Sequence, residues 1–302
     1  MSIRDLRCHV TRERLFAACA AFMLLAASAS HAESTRFGAD VELLYDTNVN
    51  RAPISSEEQS DTIVSAEGHA TRSYLLSYRS GLILRGGVRF TGHTEYSDLS
   101  HLSALGRIAY RYQPNPGYTG AWIELAGNAE VRRHSDSDLR DGYLASAAAS
   151  VGKYFTDRVR LGGGVGYEKR SSDSVVYDTT NTRYWGTIDY RITPRATLYG
   201  SVTLLDGDQV FNTASPTYKG LLATYAKAIE TDPALAKAFG GTAPLAYRME
   251  AETFIYELGL NVPLKGGQAI DVSASLFDTK ADASGQTYDG AMLRAVYMHR
   301  FH

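Results

Sequence analysis

The residues best equipped for chemistry in this chain are arginines and carboxylates spaced two or four apart along alternating segments. Arg85 and Arg89 share one face of the segment from Leu82 to Phe90, and Arg107 and Arg111 share one face of the segment from Leu102 to Tyr112. The two segments are consecutive, so as neighbouring strands they can set four guanidiniums in one basic stripe suited to anionic or sugar-acid solutes. Arg160, Arg183, Arg191 and Arg294 fall on equivalent faces, with Glu95, Glu124, Glu168, Asp189 and Asp271 as counter-charges. Two readings stay open: the charges pair across strands and fill a narrow interior, or they line a water-filled passage. His93 beside Glu95, and His69 beside Glu67, set imidazole and carboxylate two residues apart, a minimal acid–base or metal pair. No local Ser–His–Asp grouping accompanies them. The histidines are expected to fill space, and no catalytic residue, metal ligand or cofactor is assigned.

Asp46, Asn48, Asn50 and Glu57 carry the oxygen spacing of a calcium loop, but Arg51 stands where such a loop needs glycine and Pro53 follows. Asx side chains that satisfy the backbone at a strand-to-loop rim are the expected role.

The elements that must position these groups alternate with a period of two. Phe37, Ala39, Val41, Leu43 and Tyr45 oppose Gly38, Asp40 and Glu42, while Leu82, Leu84, Val88 and Phe90 oppose Arg85 and Arg89. Repeated along the chain, this pattern predicts about twelve strands, with ten or fourteen as the neighbouring counts. Many run to about ten residues or more, the length a tilted strand needs to cross a bilayer, whereas soluble strands average about five or six. Short turns such as 193–195 alternate with long polar links such as 46–60, 171–182 and 206–246. The expected fold is therefore all-β: a transmembrane antiparallel β-barrel over 33–302, with a short helical insertion in the long extracellular loop 206–246. Within it, 219–230 and a segment opened by Asp232-Pro233 and closed by Gly240 have helical spacing. Leu222, Tyr225, Ile229 and Phe239 are candidates for a lid at the pore mouth, against the alternative of a surface-exposed helical loop. Arg72 falls on the lipid face, which predicts a bulge near Thr71–Ser73 or a position at the interface.

The N-terminus sets the compartment. Four arginines precede an apolar run from Leu15 to Ala27, and Ser30-His31-Ala32 follows, so residues 1–32 are expected to be a cleaved signal peptide. Both cysteines, Cys8 and Cys19, lie inside it, which leaves the exported chain without thiols. The formal net charge of −2 argues against nucleic acid. Twenty tyrosines suit a membrane interface, where the ring enters the acyl boundary and the hydroxyl stays wet. The C-terminal alternation of Leu293, Ala295, Tyr297 and Phe301 resembles the signal read by the barrel assembly machinery. The expected location is the cell outer membrane of a Gram-negative bacterium, with its lipid and that machinery as partners.

The stretch Tyr45-Asp-Thr-Asn-Val-Asn-Arg-Ala-Pro53 resembles the opening of the barrel domain in the surface lipoprotein assembly modifier family. The resemblance spans about ten residues and implies a polypeptide client moved or displayed at the outer membrane. Three functions follow in order: a porin-like channel for small polar or anionic solutes, a translocon or assembly barrel, and an outer-membrane hydrolase.

Overall fold

Alternation of large apolar and polar residues makes each segment a two-faced strand, and closing those strands into a ring separates the faces. The computed structural model describes residues 35–215, 222 and 224–301; the expected signal peptide lies outside them. In chain order the strands are β1 (Arg36–Asp46), β2 (Asp61–Ser77), β3 (Ser80–His93), β4 (His101–Tyr112), β5 (Trp122–His134), β6 (Gly142–Tyr154) and β7 (Val159–Ser172). Then come β8 (Thr179–Thr193), β9 (Ala196–Thr213), β10 (Ala228–Thr231), β11 (Leu245–Pro263), β12 (Gln268–Ala281) and β13 (Thr287–Phe301).

Every neighbouring pair is antiparallel. β1 closes the ring by pairing β13, from Phe37↔Phe301 to Asp46↔Met292, and β9 pairs β11 directly, from Thr213↔Leu245 to Thr197↔Asn261. The result is a closed, transmembrane twelve-stranded barrel, with β10 as one extra strand. β10 pairs only residues 245–248 of β11, beyond the stretch that β12 covers.

The barrel is inside-out relative to a soluble protein. Phe37 is 58% exposed and Leu43 52%, while Glu67 is 7% and Glu124 8% exposed. An apolar coat of this extent needs lipid, because water against it would favour aggregation. Both described chain ends share one rim with the turns 78–79, 155–158, 194–195 and 264–267 and the link 113–121, and the two longest links, 47–60 and 214–244, are on the other.

Three expectations change. No bulge occurs near Thr71–Ser73: the register runs unbroken through Thr71↔Arg85, Arg72↔Leu84 and Ser73↔Ile83, and the irregularity lies between Leu75 and Ser77, at the turn. Arg72 is near the short-turn rim, where its guanidinium covers the Tyr74 ring at 5.1 Å. The long connection is 214–244 rather than 206–246, because β9 and β11 extend past the membrane and pair with each other up to Thr213 and Leu245. Part of the helix expected over 219–230 is the strand β10: Ile229 registers with Tyr247, and cross-strand hydrogen bonds take the place of helical ones. Residues 216–221 and 223 of that segment lie outside those described. The second expected helix is present as a 3-10 helix, Pro233–Phe239. Asp232 caps it by accepting from the Ala234 N–H at 3.0 Å, and Gly240 ends it in a left-handed conformation at φ +66°.

Candidate functional site: the polar lumen and its crown

On the wall formed by β1 to β5 the expected basic stripe exists, but carboxylates interleave it. Glu67 on β2 accepts from Arg85 at 2.6 Å with one oxygen and from Arg89 at 2.6 Å with the other. Glu124 on β5 accepts in the same way from Arg107 and Arg111, both at 2.7 Å. The cause is register: Glu67 stands opposite Arg89 and Glu124 opposite Arg111, and each second arginine reaches back four residues along its own strand. Further along, Arg132 bonds Glu130, Arg294 bonds Glu42 at 2.7 Å and lies 3.8 Å from Asp271, and Arg160 bonds Asp189. Asp271 also accepts from Tyr199 and Asn261.

Asp40, Glu67 and His69 form a cluster of cation-ligand type. His69 Nδ1 lies 3.6 Å from Asp40 and 3.7 Å from Glu67. Arg85 reaches the same two carboxylates at 3.3 and 2.6 Å, so a guanidinium already supplies the positive charge there.

The wall from β6 to β8 is different. Arg183 stacks on Trp185, its Cζ 4.8 Å from the ring centroid, and Glu168 faces the same space from β7. Trp185 lies flat because Gly164 leaves it room: a Cβ there would collide with the indole. Trp122 and Gly152 repeat the arrangement, with Arg111 over that indole at 4.7 Å. A lumenal cavity of about 280 Å³ opens here, lined by Arg107, Asn128, Ser146, Ser150, Glu168 and Arg183 among others. Another, about 320 Å³ near the short-turn rim, is lined by Arg158, Arg160, Arg191, Tyr199, Asn261 and Asp271 among others. The sequence reading places Arg107, Arg160, Glu168, Arg183, Arg191 and Asp271 on this inner face but misses Arg158, Trp122, Trp185 and Tyr199. For the three aromatics, a period-2 inward position was the available signal, outweighed by the habit of reading aromatics as lipid-facing.

Two expected lumen residues sit higher. His93 ends β3 and bonds Asp61 at 2.9 Å. Glu95 lies past the strand end and does not line the lumen; it is exposed on the crown, 3.7 Å from Lys237.

That crown crosses the mouth. In the link 47–60 the Asx side chains bond the backbone: Asn48 donates to the Ala52 carbonyl and accepts its N–H, and Asn50 donates to the Glu57 carbonyl. Arg51 adopts φ 51°, a left-handed conformation that disfavours a side chain, and is held by Asp46 at 2.7 Å and by stacking on Phe277 at 4.5 Å. The link reaches β9, where Asn212 donates to the Asn50 carbonyl and Thr213 to Glu57, both at 2.8 Å.

The connection 214–244 spans the opposite way. Asp232, fully buried, accepts from Arg140 at 3.0 Å and from the Tyr177 hydroxyl, joining it to the β5–β6 and β7–β8 links. Burial drives the Tyr177 phenol well above its ordinary value, and nearby Asp232 adds to this. Burial pulls Arg140 down, but Tyr177 and Asp232 more than offset it. Leu235 and Ala238 pack on Tyr96 and Leu99 of the β3–β4 link, with Phe239 against them. Leu222 is buried among Phe211, Tyr247, Met249, Phe277 and Tyr288 on the inner wall. Tyr225 and Ile229 do not join either cluster. Both are more than two-fifths exposed, and Ile229 is held so by the pairing of β10.

No protein-family model and no curated protein matches the chain. Among solved structures, it is similar to an outer membrane channel from Pseudomonas putida F1 at 12% identity, over 91% of this chain and 98% of that one, with a TM-score of 0.54. The NanC porin gives 8% identity over 86% and 98% with a TM-score of 0.47, and the KdgM porin complexed with disordered oligogalacturonate 10% over 88% and 99% with 0.44. The first supports the barrel fold. These comparisons do not show the likeness to surface lipoprotein assembly modifiers.

Proposed function

We propose that the protein is an outer-membrane channel for small polar solutes, anions included, whose outer mouth is covered by its own long links. The observation that carries this is a ring with an apolar exterior enclosing polar cavities lined by arginines, carboxylates, Ser and Asn. A membrane barrel gains nothing in stability from water-filled polar space beyond what close apolar packing would give, so such space is best explained by passage. In this reading the long-link rim faces outward and both ends of the barrel face the periplasm. The Pseudomonas putida structure that shares the fold is itself described as a channel, in keeping with the proposal. A polypeptide client is disfavoured, because links 47–60 and 214–244 cross the opening and ion pairs bridge the lumen wall.

The test is conductance in planar bilayers, for wild type and Asp232→Ala. Removing that carboxylate leaves Arg140 buried without its partner, a loss of about 3–5 kcal/mol. Wild type should show small, infrequent openings, and the variant larger or longer ones, with faster protease cleavage within 214–244. Silence from both proteins, each confirmed as folded by heat-modifiable mobility, would reject the channel.

A further inference from the structure

The 280 Å³ cavity between β5 and β8 contains an uncommitted cation and an uncommitted anion. Arg183 has no carboxylate within ion-pair distance among the described residues; its guanidinium stacks on the Trp185 ring. Glu168 has neither a hydrogen bond nor an ion pair among them. By contrast, Arg107 in the same cavity is held by Glu124 and by the Asn128 side-chain Oδ1 at 3.2 Å.

Arg183 registers with Gly166 and Glu168 with Asn181, so the two are diagonal neighbours across β7 and β8, about 7–8 Å apart at the backbone. The guanidinium lies instead on Trp185, itself seated over Gly164. Both side chains line the cavity with their charges unpaired with each other.

A plain anion entering here meets repulsion from Glu168, and a plain cation meets it from Arg183. A neutral polyol would leave both charges unanswered. Among the described residues, Ser150 and the Ser146 hydroxyl proton remain free to bond a ligand oxygen, since Ser146 is occupied there only as an acceptor from Asn128 at 3.0 Å. The volume is near the lower end of small-molecule sites, which run from about 300 Å³ upward, so one small molecule fits and a chain of them does not.

We propose that this cavity binds a small zwitterion of the α-amino-acid kind, its carboxylate on Arg183 and its ammonium on Glu168. This rests on the channel reading for its biological sense, since the cavity then lies on the solute's path and sets which solutes pass most readily.

The experiment is calorimetric titration of the purified full-length chain in detergent with three probes: L-alanine, L-lactate (the ammonium replaced by hydroxyl) and ethylamine (the carboxylate removed). Wild type should bind L-alanine about tenfold more tightly than either of the others. Glu168→Gln should weaken L-alanine about tenfold and make L-lactate the tightest probe, a gain that a damaged fold cannot produce. Arg183→Gln should lose both L-alanine and L-lactate. Lactate tighter than alanine in wild type, no alanine binding at all, or an unchanged order in Glu168→Gln would overturn the proposal. Binding in the expected order by a protein that passes no current would remove the channel and keep the site; current without that order would do the reverse.

Discussion

The two sides of the lumen use the same residue types to different ends. From β1 to β5 each key carboxylate is bracketed by two arginines, so the wall is cross-braced and its charges answer one another. From β6 to β8, glycines take the places where side chains would brace, indoles lie on the bared backbone, and Arg183 and Glu168 face open space. Cross-strand pairing stabilises the ring but removes the charges from use by a solute. One wall braces the ring, and the other carries the site proposed for a solute.

The largest blow to the braced wall should come from Glu67→Ala. It strands Arg89, leaves Arg85 with only Asp40 at 3.3 Å, and should cost about 2–3 kcal/mol, below the fully buried case because both guanidiniums reach lumenal water. Urea unfolding in detergent micelles measures it; a change under half a kcal/mol would show that the bracing is decorative. On the open wall, Gly164→Ala should cost about 1–3 kcal/mol, since the added methyl collides with Trp185 and with the Ala149 carbonyl. A red-shifted, more quenchable tryptophan emission would report the indole leaving its seat.

A matched pair sharpens the contrast further. Arg111→Gln loses a two-pronged bond to Glu124 and should destabilise by about 1 kcal/mol, discounted because the side chain is half exposed. Arg183→Gln loses only a stack and should cost about 0.5 kcal/mol. Equal losses would erase the distinction between the walls.

The smallest effect concerns the crown. Burial pushes the Asp141 carboxyl up, but the His134 ring and backbone N–H, with Arg133 nearby, more than compensate and hold it below its ordinary value of 3.8. A depressed folded value means that its contribution is present above the unfolded value and is lost as pH falls through the folded one. Thermal melting of Asp141→Asn should therefore be less sensitive to acid below about pH 4 than that of wild type.

Much of this was legible in the residues alone. Phe37 to Tyr45 and Leu82 to Phe90 announce their two faces through a period of two that needs no partner strand. The Asp232-Pro233 start and Gly240 stop of the crown helix are equally local, because capping involves groups within a few residues. Arg85, Arg89, Arg107 and Arg111 could be set on the inner face, but not matched to partners. Glu95 was misplaced because extending the period by one step carried it past the end of β3.

What the chain determined by itself was the ring, its greased exterior and its charged interior, since alternation is a property of neighbours in sequence. Only the closed barrel decided that Glu67 and Glu124 each hold two arginines, that Asp232 meets Arg140 and Tyr177 across the mouth, and that Trp185 rests over Gly164. Those contacts depend on strand register and on which strands close the ring, and a residue's own alternation carries no information about either.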